Sequence, residues 1–375
     1  MTTIADVARR AGVSKVTVSR VINDAGNVRP ATRDRVERAI QELHYLPSVA
    51  ARSLRNKRTN ALALIVPDIT NPFWTTIARG VEDAAHEWGY SVLLCNTDEN
   101  PEKQRHYIDV VIRQRVDGVI IAPYSSDADH LKRLRERSIP TVAIDRRIDG
   151  WDVDTVTGDS FSGAYALVRH LVDLGHRWIA VISGPQTASS AQDRVLGYLY
   201  ALEKAGIKPD ERLILRGEFR STDGEALTYE LLDQGLQFTA IFAGNNAIAM
   251  GVLTALGNRG LHIPKDISLV CFDDIPYLSH ILPFLTAAVQ PAYEMGLQAA
   301  QLLLGRLGGT AQDTPARIVL PTSLVVRYSC GSRGQQFSLP LFEKSSSEDK
   351  LPVQTLFPEE QHYAGEPLAG PFPLV

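Results

Sequence analysis

Four short stretches of this 375-residue chain place charged and hydrogen-bonding side chains directly after an apolar run. They are Asp68 to Trp74, Asp145-Arg146-Arg147, Asn245-Asn246 and Asp273-Asp274. Carboxylates only accept hydrogen bonds, the arginine guanidinium is a rigid donor fork, and the asparagine amide does both, so together they suit a ligand dense in hydroxyls. Phe73 and Trp74 add faces on which an apolar side of that ligand can stack. Turns after strands favour Asn and Asp in any case, so each residue alone is equally well explained by its turn.

Catalytic patterns are missing. The chain has no G-x-G-x-x-G after a strand, no P-loop and no metal-ligand spacing. Its nine histidines are scattered, and His170 and His176 read as a helix residue and a turn residue. Cys95, Cys271 and Cys330 are far apart and odd in number, which argues against a disulfide framework and for a reducing, cytoplasmic setting. No cofactor, no metal and no enzymatic activity are expected.

A second kind of chemistry lies in the first sixty residues. They hold 12 Lys and Arg against 5 Asp and Glu, whereas the remainder holds 27 against 38. A basic head on an acidic body is the asymmetry of a nucleic-acid module joined to something else. Thr3 and Asp6 have capping-box spacing, and Ile4, Val7, Ala8 and Ala11 share one helical stripe. Gly12 suits a left-handed helix end, and Ser14 suits the cap of the next helix. In that helix Val18, Val21 and Ile22 face inward, leaving Lys15, Val16, Thr17, Ser19 and Arg20 outward in a form that a DNA major groove accepts. An ordinary amphipathic hairpin would satisfy the spacing of these two helices alone. Thr32 is the expected cap of a third helix, with Val36, Ala39, Ile40 and Leu43 completing a small core. Residues from Pro47 to Leu54 suit a two-turn helix that is marginal without a packing partner.

The elements that must position the four polar stretches follow from the change of period at Ala61. The run 61–66 reads as a strand buried on both faces. Helical and strand patterns then alternate to Thr141–Ile144, resume after Asp159 with a helix near Gly163–Leu174, and continue to a strand at Ser268–Phe272. The helix Tyr293–Leu307 and the run Arg317–Leu320 look like a return to the first sheet. Such alternation means two doubly wound parallel-sheet lobes, with the chain crossing between them near residues 160, 290 and 321. In doubly wound sheets ligands bind outside the carboxyl ends of the strands, so a cleft between the lobes gathers all four stretches. Hydrophobic content of 44% and charged content of 22% describe a soluble globular protein. The N-terminus enters a capped helix without a signal-peptide core, and no run is long enough to span a bilayer. Residues 331–375 are rich in Ser, Pro, Glu and Gly without periodicity and read as a largely disordered tail.

The motifs Thr3-Ile4-x-Asp6-Val7-Ala8, Ala11-Gly12-Val13-Ser14, Thr17-Val18-Ser19-Arg20-Val21-Ile22-Asn23 and the run from Tyr45 through Pro47 to Leu54 resemble the headpiece of the lactose-repressor (LacI/GalR) family. The likeness extends over roughly residues 1–330, where the two lobes resemble periplasmic binding proteins. It implies a helix-turn-helix domain at 1–46, a hinge helix and linker at 47–60, and an effector-binding and dimerisation body at 61–330. It also implies a homodimeric, cytoplasmic regulator, more a repressor than an activator, bound to a palindromic operator. Lys15, Val16 and Arg20 would then read base edges, and Leu54 would wedge into the minor groove. Thr3, Ser14, Thr17, Ser19, Asn23 and Ala51 would also lie at the DNA. For the cleft the resemblance implies that Phe73, Trp74, Asp145, Arg146, Arg194, Phe219, Asn245 and Asp273 bind the effector. One departure stands out: the family usually has Asp where this chain has Asn246. A sugar or sugar derivative fits this composition; a purine, a protein partner, or a phosphosugar neutralised by Arg146, Arg147 and Arg194 are the other readings.

Overall fold

The headpiece is a bundle of three short helices, α1 (Ile4–Ala11), α2 (Lys15–Ile22) and α3 (Pro30–Glu42). The structure is a computed structural model that describes residues 2–22, 24–26, 28–45, 58–275 and 283–331. At the start of α1 the Asp6 carboxylate accepts the Thr3 backbone N–H at 2.9 Å, and Gly12 ends the helix with φ of 65°, a left-handed conformation that costs glycine nothing. Ser14 Oγ accepts the Thr17 N–H at 3.1 Å and starts α2. Val7, Ala8, Ala11, Val18, Val21, Val36 and Ala39 form the core of the bundle. The third helix begins earlier than its sequence suggests. Pro30 is its first residue and Arg29 its cap, with Thr32 already inside the first turn, because proline has a fixed helical φ and no N–H to satisfy.

The body is two α/β lobes of matching architecture. The first contains β1 (Ala61–Val66), α4 (Pro72–Glu87), β2 (Ser91–Asn96), α5 (Pro101–Gln114), β3 (Gly118–Ile121), α6 (Lys132–Glu136), β4 (Thr141–Ile144) and β5 (Asp154–Gly158). The second contains α7 (Ser160–Asp173), β6 (Ile179–Ser183), α8 (Ser189–Lys204), β7 (Ile214–Arg216), α9 (Ser221–Asp233), β8 (Ala240–Ala243), α10 (Asn246–Asn258), β9 (Ser268–Phe272) and β10 (Thr286–Val289). The chain then returns to the first lobe for α11 (Ala292–Gly308) and β11 (Arg317–Leu320), and ends in the second with β12 (Ser323–Val325). The sheet orders are β11-β5-β4-β3-β1-β2 and β12-β10-β9-β8-β6-β7. Among the described residues all strand pairings are parallel except β10 with β12. The region 129–137, which reads as one helix, is a 3-10 turn at Ala128–Leu131 running into the short α6.

Buried strands and capped turns make this frame rigid. Five of the six residues of β1 are buried, as its unbroken apolar run requires. The turns that lead from strands into helices are closed by side chains: Asn71, Asn100, Asp159 and Asn245 each accept backbone N–H groups of the helix that follows. These caps satisfy donors that a helix start would otherwise leave unpaired. They also hold the carboxyl ends of both sheets at one place, the space between the lobes.

Candidate functional site

The cleft is built twice from the same local design. Asp145 follows β4 and Asp273 follows β9, and both adopt left-handed backbone, with φ of 65° and 63°. Each is pinned by the neighbouring crossing strand: the Asp145 N–H donates to the Val156 carbonyl and the Asp273 N–H to the Ala288 carbonyl, both at 2.9 Å. Aspartate tolerates this conformation better than most residues, and the bend turns both carboxylates into the space between the lobes. Arg194, on α8, lies between them. Its Nη2 is 4.0 Å from Asp145 Oδ1 and 3.8 Å from Asp273 Oδ2, and its Nη1 donates to the Gly244 carbonyl at 2.8 Å. The guanidinium also stacks on Phe272, 3.9 Å from the ring centroid.

The remaining walls come from strand ends and helix starts. Phe73 and Trp74 meet edge to face at 4.9 Å in the first turn of α4. Phe219 follows β7, with Arg146 and Arg194 over its ring at 5.3 and 5.6 Å. Gly184 leaves room for that ring, since a Cβ there would stand 2.4 Å from it. Asn245 caps α10 through its Oδ1. The eight cleft residues named from the sequence therefore surround one cavity, which Asp68, Asn71 and Glu99 complete. Its free space admits little more than a single water molecule.

The lobes are tied across this space. The Asn71 and Asn246 amides exchange hydrogen bonds of 2.8 and 3.0 Å. Arg147 forks onto Asp193 at 2.5 and 3.0 Å, its N–H donates to Ser189 Oγ, and the Ser126 N–H donates to the Thr187 carbonyl. The electrostatics inside are uneven. Burial pushes the Asp273 carboxyl up to about 6, although Arg194 and a 2.8 Å hydrogen bond from Gln290 pull the other way. Among the described residues Asp145 Oδ1, Arg146 Nε and Arg194 Nε, one acceptor and two donors, are buried without a hydrogen-bond partner.

Glu99 escaped the sequence reading. It binds Arg146 through two hydrogen bonds, 2.9 and 2.5 Å. A signal existed in the strand-end rule itself. The strand ends correspond, with the Thr97 N–H donating to the Val66 carbonyl beyond β2 and the Gly217 N–H to the Ser183 carbonyl beyond β7, and Glu99 and Phe219 stand equally far past their strands, although Glu99 is reached through a left-handed turn.

On the headpiece, Ser14, Lys15, Val16 and Arg20 are exposed along α2, with Thr17 and Ser19 half-buried and Thr3 exposed at the start of α1. Val16 is 61% exposed, a high value for an apolar side chain. Asn23, Ala51 and Leu54, with most of the expected hinge helix and nearly all of the tail, lie outside the described residues. Among the described residues no helix is long and apolar enough to cross a membrane.

Comparison with known proteins matches residues 3–48 to the family of bacterial regulatory proteins called lacI, and residues 59–327 to the periplasmic binding proteins and sugar-binding domain of the LacI family. The HTH-type transcriptional regulator DegA of Bacillus subtilis is 38% identical over 88% of this chain and 98% of its own length. The ribose operon repressor of Halalkalibacterium halodurans is also 38% identical, over 87% of this chain and 96% of its own. The lac repressor dimer bound to operator and the anti-inducer ONPF superposes with a TM-score of 0.76 at 30% identity, covering 88% of this chain and 99% of that one. With a three-helix headpiece, two parallel-sheet lobes and matches across both parts, the chain belongs to the LacI family of DNA-binding transcriptional regulators.

Proposed function

We propose that this protein is a homodimeric, cytoplasmic repressor whose affinity for a palindromic operator is set by a neutral sugar or sugar derivative bound between the lobes. The observation that carries the effector half is the cavity in which Asp145, Arg146 and Arg194 each keep a buried polar atom without a hydrogen-bond partner among the described residues. A hydroxyl both donates and accepts, so vicinal hydroxyls match a carboxylate oxygen beside guanidinium N–H groups. The faces of Phe73, Trp74 and Phe219 suit the apolar side of a sugar ring.

The DNA half rests on the basic headpiece. Lys15, Val16 and Arg20 are assigned to base edges, Val16 to an apolar contact such as a thymine methyl. Thr3, Ser14, Thr17, Ser19, Asn23 and Ala51 are assigned to the surrounding backbone contacts, and Leu54 to a minor-groove wedge. Residues 1–46 would form the DNA-binding domain, 47–60 the hinge and 61–330 the effector and dimerisation body. One headpiece reads a half-site, so a palindrome calls for two copies. The edge strand β2 leaves Leu93 and Leu94 exposed at 38% and 44%, and an apolar sheet edge of this kind is normally covered; a second copy is the natural cover.

In this mechanism the ligand acts through its different affinity for parted and closed lobes, and the lobe angle sets how the two hinges meet DNA. Intrinsic tryptophan fluorescence against a panel of sugars, sugar phosphates and purines tests the site. The expected result is a saturable change with a neutral sugar that is lost in Trp74→Phe. Silence across the panel in a protein that still binds operator would discard the sugar and leave the DNA-binding half standing.

A further inference from the structure

Arginines in a cleft ordinarily invite phosphate, because the guanidinium fork matches its oxygens and stays charged. Here each one is already engaged. Arg146 is 2% exposed and Glu99 4% exposed, and their two hydrogen bonds use both terminal nitrogens of the guanidinium. The Pro123 carbonyl takes a further bond from Nη1. Arg147 is held outside the cavity by Asp193. Arg194 stands between two carboxylates and donates to the Gly244 carbonyl. Around the cavity four carboxyl groups, Asp68, Glu99, Asp145 and Asp273, face two guanidiniums.

We infer that Glu99 is the specificity-determining residue of this cleft: by occupying Arg146 it makes the site select uncharged polyols and reject phosphorylated or carboxylated ones. The inference rests on the effector site proposed above and names which ligands that site refuses. An incoming phosphate has to displace a buried carboxylate from Arg146 or bind next to it, and both routes are unfavourable where charge is poorly screened. A hydroxyl ligand leaves the pair intact and uses the Arg146 Nε, which has no hydrogen-bond partner among the described residues.

Titration calorimetry of the full chain with inorganic phosphate and with paired probes, ribose and ribose 5-phosphate, tests this. Wild type is expected to show no saturable phosphate heat and at least a tenfold preference for any neutral sugar over its phosphate. Glu99→Gln uncovers the Arg146 charge and is expected to show saturable phosphate binding, at least tenfold tighter than the detection limit that bounds wild type. The double variant Glu99→Gln with Arg146→Met is expected to lose that gain. A folded Glu99→Gln protein with no gain overturns the inference. So does wild-type binding of phosphate or ribose 5-phosphate that disappears in Arg146→Met, and this arm decides the matter if Glu99→Gln fails to fold. Equal affinity for a sugar and its phosphate would keep the effector site and remove its selectivity. A phosphate gain in Glu99→Gln without any sugar binding would keep the charge logic and remove the sugar.

Discussion

The two lobes share strand order, crossing pattern and a left-handed aspartate at the same strand end, yet they furnish the cleft differently. After Asp145 the first lobe continues with Arg146, and after Asp273 the second continues with Asp274. Arg146 turns back to Glu99 within its own lobe, whereas Asp274 turns away to Arg327 at 2.9 and 2.7 Å. Beyond the edge strands the first lobe supplies Glu99 and the second Phe219. One wall is therefore a compensated ion pair and the other an aromatic plate, on sheets of matching strand order. The frame fixes where side chains enter the cleft, and the residue types at matched positions decide what the cleft recognises.

Arg194 is where the two halves meet, so its removal breaks the comparison most severely. Arg194→Ala leaves the Asp145 and Asp273 carboxylates buried with no shared cation. A loss of about 3–5 kcal/mol in urea unfolding is expected, as when one partner of a buried pair is deleted, together with loss of the effector response. A change below about 1 kcal/mol would mean that the two carboxylates do not depend on this arginine.

The matched aspartates can then be separated by pH. The Asp273 carboxyl is raised from 3.8 to about 6 in the folded protein, by burial first and by nearby Asp145 and Asp274 after it. Between these values the folded state binds more protons than the unfolded one, so this group favours folding at low pH and loses that contribution as pH rises from about 4 to 6. Asp273→Asn has no such loss. Its stability relative to wild type should therefore climb by roughly 2–3 kcal/mol across that window, as measured by urea midpoints at several pH values. A difference that does not vary with pH would remove the raised carboxyl from this picture.

Much of this arrangement was legible in the sequence because it follows from strand ends. Long apolar runs such as 61–66 and 268–272 locate the sheets, and the polar residues after them fall at the cleft without further information. The strands β5 and β10 were not legible. Their sequences, Asp-Thr-Val-Thr-Gly and Thr-Ala-Ala-Val, are short and made mostly of small or polar residues. They lie at the crossings, where Gly158 meets the Gln290 side chain so closely that a Cβ would overlap it. Glu99 was hidden for another reason, since a charge in an Asp-Glu-Asn turn looks solvated until Arg146 is placed against it. Asn246 was visible as a departure, but its meaning needed the partner. Its amide donates to Asn71 Oδ1 and to the Asp274 carbonyl, and an ionised aspartate at 246 has no proton to give either.

The link between cleft and DNA is tested most directly by operator affinity. Full-length protein and a DNA site selected from a random pool would be followed by fluorescence anisotropy, with and without a ligand that quenches or enhances Trp74. At fixed salt a shift of at least about tenfold in Kd is expected, corresponding to a coupling of about 1.4 kcal/mol between the sites. A ligand that saturates the cleft and leaves operator affinity unchanged would contradict the claim that the lobe angle governs DNA binding.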